Sequence, residues 1–282
     1  MDRREQIIEQ TELNMERKNW IVKDNRAIQE VVKRKFELSV REQKVLGYIL
    51  SKIKQPLGEF ETGPSYKIKF DIKQFCKVCG IEYDSGENYR QIQDALDKLA
   101  ENSFWLYKTD SRLRFQWIHS PEIWYSGGLI EVEIPTKTMP YLYDMAERFT
   151  KYRLYHILIL KSSYSIALYE WFKSWAYKKI VTVDISALRS YLGISDDKYV
   201  QYKIFRRDLL DRCIKEIEGQ TDLRITYRPI RMGRSYSRIE FTIKEVDEET
   251  AAEVERRALA LLNGINYIPG QGSLFDYPRE ED

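Results

Sequence analysis

Three residue types in this sequence have spacing that invites a chemical reading. Cys76-x-x-Cys79 has the step of half a zinc site, but no second pair and no histidine partner accompany it. Those two cysteines, and Cys213, therefore read as core thiols. The two histidines, His119 and His156, form no His-x-His pair, which argues against a metal-dependent nicking centre. Twenty tyrosines supply nucleophiles, yet nothing near them would hold a metal. No GxxxxGK[ST] loop is present, so there is no sign of an ATPase or helicase. The chain reads as non-enzymatic, with no cofactor.

The chemistry that remains is cationic. Lys plus Arg is 46 against 44 for Asp plus Glu, a formal net charge of +2 that hides a split. From Glu240 to Asp282 stand 11 acids and 4 bases, a net −7, which leaves +9 on residues 1–239. Lys198–Ile239 alone carries 11 bases against 5 acids. A basic block beside an acidic tail suggests a surface for a polyanion. The bland alternative is a solvated charged face.

An internal pseudo-repeat supplies the elements that would position these charges. Sliding the chain by 113 residues lays FDIKQFCKVCGI (Phe70–Ile81) on VDISALRSYLGI (Val183–Ile194). Asp71 meets Asp184, Gly80 meets Gly193, and further on Tyr89, Ile92 and Leu96 meet Tyr202, Phe205 and Leu209. A duplicated supersecondary unit explains this most economically. Each copy predicts an amphipathic helix first, with its stripe on Val45, Leu46, Ile49, Leu50 and Ile53 or on Leu168, Trp171, Phe172 and Trp175. A short strand follows, Tyr66–Phe70 or Ile180–Val183. Next comes a short helix capped by Asp71 or Ser186 and stopped by Gly80 or Gly193. A longer helix is expected over Glu87–Glu101 and Tyr199–Glu218. Two strands close each copy, Phe104–Tyr107 with Leu113–Ile118 and Leu223–Pro229 with Ser237–Ile243. Ser126–Ile134 should extend the first sheet, and Pro135–Arg148 should connect the copies through a short helix.

This order is that of a winged helix, in which the second helix of a helix-turn-helix enters the major groove. The expected fold is α+β: two tandem winged-helix domains related by internal duplication, with a flexible acidic tail. The boundaries read as an N-terminal arm over 1–35, a first winged helix over 36–148, a second over 149–246, and an acidic helix and tail over 247–282. Ile7, Ile8 and Leu13 suit a short helix in the arm.

In the second long helix, Tyr202, Phe205 and Leu209 should face the core, with Lys203 and Arg207 opposite, Arg206 on the flank and Lys198 near the N-terminus. The ribbon turn Arg231–Arg238 should carry Arg231, Arg234 and Arg238 at a wing tip that reaches phosphates or the minor groove. The first copy is less basic, with Asp94 where the second has Arg207. Asn88, Arg90 and Gln91 are its candidate contacts, and that module has room for other work such as self-association.

Trp20–Leu50, with its VKDN stretch and LSVREQKVLGYIL, resembles the opening of plasmid replication initiator (Rep) proteins of the two-winged-helix, iteron-binding superfamily. Ser162–Ala176 (SSYSIALYEWFKSWA), followed by DISALRSYLGI, is similar to that family's second winged helix. The resemblance covers roughly residues 20–246 and rests on the order of blocks rather than one short motif. It implies binding of double-stranded DNA at direct repeats of a plasmid origin. It also implies recruitment of host initiator and helicase, and a monomer–dimer equilibrium in which dimers repress their own gene. A transcriptional repressor without a replication role is the alternative. Gln271-x-Ser273-Leu274-Phe275 resembles the bacterial sliding-clamp-binding pentapeptide, with Leu274 and Phe275 for an apolar cleft and Gln271 at its mouth. Leu274 and Phe275 pinning the tail to the body is the competing reading. Mean hydropathy of −0.54, no apolar run of membrane length and no secretory h-region predict a cytoplasmic protein without a membrane partner.

Overall fold

The fold is taken from a computed structural model. It describes residues 3–29, 38–53, 65–83, 86–107, 110–124, 127–139, 141, 149–233 and 235–265. The first module opens with helix α3 (Val40–Ser51), following α1 (Arg3–Arg17), strand β1 (Trp20–Asp24) and α2 (Asn25–Gln29). Ser39 and Glu42 close a reciprocal capping box at its start. The predicted stripe is buried, with Val45 and Ile49 fully so. Strand β2 (Ser65–Asp71) then feeds α4 (Ile72–Cys79), whose first amides, on Lys73 and Gln74, donate to Asp71 Oδ1 at 2.8 and 3.0 Å. Helix α5 covers Glu87–Glu101 and buries Ile92, Ala95, Leu96 and Leu99.

The second module repeats the plan with α7 (Ser163–Trp175), β8 (Ile180–Asp184), α8 (Ile185–Tyr191), a long helix over 202–220 made of α9 (Tyr202–Ile204) and α10 (Asp211–Gln220) joined through Phe205–Leu210, and the strands β9 (Leu223–Met232) and β10 (Ser235–Glu245). The repeat survives down to single hydrogen bonds. After α4, Gly80 N donates to Lys77 O and Ile81 N to Cys76 O; after α8, Gly193 N donates to Ser190 O and Ile194 N to Arg189 O. Both glycines sit at positive φ, +65° and +69°, the left-handed conformation that ends a helix without a Cβ penalty.

Several expectations need correction. The cap of α8 is at Asp184, not Ser186, and the Asp184 carboxylate makes no cap bond because Arg238, its cross-strand partner, donates to it at 2.9 Å. The second long helix begins at Tyr202, after Gln201, because Tyr199 holds φ +50°. Its segment Phe205–Leu210 is π-helical. Adjacent Leu209 and Leu210 are both buried, and the wider π turn inserts the extra residue that lets both face inward. In the first module the hairpin β3 (Ser103–Tyr107) and β4 (Arg112–Gln116) stands as a separate two-stranded sheet. The module's main sheet is β2-β6-β5, built from β5 (His119–Trp124) and β6 (Leu129–Pro135), and this order matches β8-β10-β9. β6 buries Ile130, Val132 and Ile134, as a central strand requires, whereas β4 buries only Phe115. The wing equivalent of the first module is thus β5–β6. Between the modules, Met139 and Tyr141 are helical and residues 142–148 lie outside the described residues.

The modules share one continuous apolar core. β1 pairs antiparallel with β7 (Phe149–Arg153), and α6 (Leu154–Ile159) packs on α3. Under this ribbon lies a buried polar seam. Lys23 is ion-paired with Glu170 of α7, and the Tyr152 hydroxyl donates to the same carboxylate oxygen. Thr150 donates to Asn25, and Gln29 donates to the Ser174 carbonyl at 3.0 Å. Helix α11 (Glu248–Leu262) then runs back to the first module. There the Arg17 guanidinium, 1 % exposed, donates to the carbonyls of Lys77 and Val78 at 2.7 Å and to that of Leu262 at 3.1 Å. These carbonyls close α4 and α11, so one cation caps two helix C-termini. Burial pulls the Arg17 pKa down to about 10, which leaves it charged at neutral pH.

Candidate nucleic-acid interface

The long helix and the wing of the second module present their cations on exposed side chains. Lys198, Lys203, Arg206, Arg207, Arg231 and Arg238 are all exposed, while Phe205 and Leu209 are buried and Tyr202 packs against the core. The helix face is therefore as the periodicity predicts, although the π turn sets its phase. Arg234 lies outside the described residues. Strands β9 and β10 extend to Met232 and from Ser235, so Arg231 and Arg238 stand in the strands and not in the turn.

Acids hold many of these guanidinium groups in the free protein. Arg207 makes a two-pronged contact with Asp208, both prongs at 2.7 Å. The Asp208 hydrogen bonds raise the Arg207 pKa, and Arg207 in turn lowers that of Asp208. Arg206 lies 3.5 Å from Asp211, and Arg228 makes a similar fork to Glu240 across the sheet. Arg231 stacks over Tyr236, 4.7 Å to the ring centroid, and donates to its hydroxyl at 3.0 Å. Tyr236 in turn lies 4.7 Å from the Tyr202 ring, joining wing to helix. Such exposed pairs contribute little to stability, and a phosphate competes with the carboxylate for the same guanidinium.

Arg189 is a site residue that charge counting along the long helix misses. It stands where the first copy has Cys76, and it donates to the carbonyls of Tyr199, Ser195 and Lys198 at 2.8, 3.2 and 2.6 Å. It fixes the turn that delivers the long helix. Its only signal in the sequence is a basic residue at a repeat position that is apolar in the other copy.

In the first module Asn88, Arg90 and Gln91 are brought together on the first turn of α5, around Glu87. Arg90 pairs with Glu87 at 2.6 Å, Gln91 also donates to Glu87, and Asn88 donates to the Glu82 carbonyl while accepting from Arg41. The separate β3–β4 hairpin adds an exposed Trp105 with Arg112 and Arg114 over its ring, a basic aromatic patch not anticipated from spacing.

Cys76, Cys79 and Cys213 are buried thiols outside any disulfide. Burial raises the pKa of Cys79 far above its ordinary value, and that of Cys213 also rises, as expected of packing groups. His156 is buried against Asp222 and Tyr155. Among the described residues no group of three or more His, Cys, Asp or Glu could hold a metal. Also among them, no helix is long and apolar enough to cross a membrane.

The geometry has a counterpart among known proteins. The family profile described as "Initiator Replication protein, WH1" matches residues 20–173, and the one described as "Initiator Rep protein, WH2" matches residues 184–243. The chain belongs to the plasmid replication initiator (Rep) family. As a Rep initiator it carries two winged-helix domains and is a DNA-binding protein of replication initiation. The cationic helix and wing described above fall almost wholly within the WH2 match.

Proposed function

We propose that this Rep initiator binds direct repeats (iterons) at its plasmid origin through both winged helices, chiefly the second. There it recruits host replication proteins, and as a dimer it represses its own gene. The proposed organisation is an arm over 1–35, winged helices over 36–148 and 149–246, and an acidic helix and tail beyond. The observation that carries the reading is the coincidence, in one module, of an exposed cationic helix face with a cationic wing joined to it through Tyr202 and Tyr236. Lys203, Arg206 and Arg207 reach base edges; Lys198, Arg231, Arg234 and Arg238 contact backbone; Asn88, Arg90 and Gln91 provide a weaker contact from the first module. The protein needs no catalytic residue or cofactor of its own.

The test is footprinting and gel-shift on the plasmid's own upstream repeats. Arg207→Ala should cost about 1–3 kcal/mol on the cognate repeat. An unchanged footprint and affinity for this variant would refute the face assignment. Binding without any effect on origin firing would leave a repressor.

Gln271, Ser273, Leu274 and Phe275 lie outside the described residues. Their role as a sliding-clamp-binding segment rests on the pentapeptide pattern. A clamp pull-down that Leu274→Ala with Phe275→Ala leaves unchanged would remove it.

A further inference from the structure

Two apolar side chains sit where the second module's long helix begins and face no core. Val200, in the turn two residues before the helix, is 71 % exposed, and Ile204, in the first turn of the helix, is 36 % exposed, whereas Phe205, Leu209, Leu210, Ile214 and Ile217 of the helix are buried. They stand among cations. Lys203 adjoins Ile204 and Arg207 follows three residues later, while Lys198 lies two residues before Val200. An apolar pair ringed by positive charge does not suit a protein core or a neutral protein partner. Its complement is a surface of anionic rims around apolar spots, and the DNA major groove has this pattern where thymine places its 5-methyl group.

The pair is rigidly presented. Tyr199 holds φ +50°, a conformation unfavourable for a side chain of its size. Arg189 holds the Tyr199 carbonyl at 2.8 Å, and Tyr199 packs against the core. The chain is thereby turned immediately before Val200. Both Val and Ile are β-branched and stiff at χ1, so little side-chain freedom is lost on contact. The N-terminal residues of a recognition helix are also those that meet base edges. In the first copy the positions matching Val200 and Ile204 are Glu87 and Gln91, which carry no methyl group for such a contact.

We infer that Val200 and Ile204 read thymine 5-methyl groups in the major groove and make the second module the sequence-discriminating one. This rests on the DNA-binding function proposed above and adds the chemical group that is read. The full-length protein is first used to select its preferred duplex from a random pool. Each thymine of that duplex is then replaced by deoxyuridine, which lacks only the methyl. Affinity should fall about three- to five-fold at one or two positions, as expected for one buried carbon. Val200→Ala and Ile204→Ala, both exposed and hence foldable, should bind thymine and deoxyuridine duplexes alike. Lys203→Ala should weaken both and keep their ratio.

Selection of a sequence with no sensitivity to deoxyuridine at any position overturns the inference and leaves the DNA-binding reading standing. Failure to select any sequence overturns both. Variants that keep the deoxyuridine difference while losing dimer mass in sedimentation would make the pair a self-association surface, which also overturns it.

Discussion

At the scale of single residues, His156 shows how burial chooses a protonation state. It packs between Tyr155 and Tyr169, 3.8 Å from Asp222, and burial lowers its pKa from 6.5 to about 4 although Asp222 opposes the shift. The folded protein thus keeps the imidazole neutral where the unfolded chain would already take up a proton. Between pH 6.5 and about 4 the unfolded state binds the extra proton, so stability falls as the pH is lowered through that window. The loss should approach about 3 kcal/mol by the lower limit. Urea midpoints from pH 7.5 to 4.5 measure it, and His156→Gln should flatten part of the slope. Equal slopes for both proteins would assign the acid sensitivity to carboxylates instead. The sequence showed His156 only as a histidine without a metal partner. Its burial arises because Tyr169 and Asp222 approach from other elements of the chain. Cap residues such as Asp71 were legible because their partners lie two and three residues away.

At the scale of elements, the duplication was readable from identities at a fixed shift, and the glycine turns that end α4 and α8 match in hydrogen-bond pattern. At Gly80 an alanine meets more than the cost of its left-handed backbone, about 1–2 kcal/mol, because the added Cβ would lie 2.9 Å from the Leu262 carbonyl oxygen, a backbone atom of α11. Gly80→Ala should therefore lower stability by more than that backbone cost and expose α11 to limited proteolysis. A loss of no more than about 2 kcal/mol with unchanged cleavage would show that α11 yields without cost. The π segment and the separate β3–β4 hairpin were not legible. The first follows from two adjacent leucines both finding core contacts. The second follows from β6, not β4, bearing the apolar alternation that fits beside β2, a competition among strands of similar composition.

At the scale of the whole molecule, the buried seam under the β1–β7 ribbon ties the N-terminal arm to the second module, across the first. Lys23 comes from the N-terminal arm and Glu170 from α7, and both are nearly inaccessible to solvent. Removing one partner leaves a buried charge uncompensated. Lys23→Met should cost about 3–5 kcal/mol, and adding Glu170→Met should restore most of that. Thermal unfolding of the single and double variants checks this, and strict additivity would exclude coupling. The VKDN stretch that marked the family in the sequence thus holds the arm against α7. That role is invisible in a string, because the two charges are 147 residues apart.

The order of parts along the chain and their order in space differ again at the C-terminal helix. Helix α11 follows the second module in sequence, yet its last carbonyl is gripped by Arg17 beside the turn that ends α4 of the first. Mechanically, the C-terminal segment is moored to the first module. Any load applied through that segment reaches the Arg17 anchor and the Gly80 turn before it reaches Arg257, whose bond to the Gly219 carbonyl ties α11 to the cation-bearing helix of the second module.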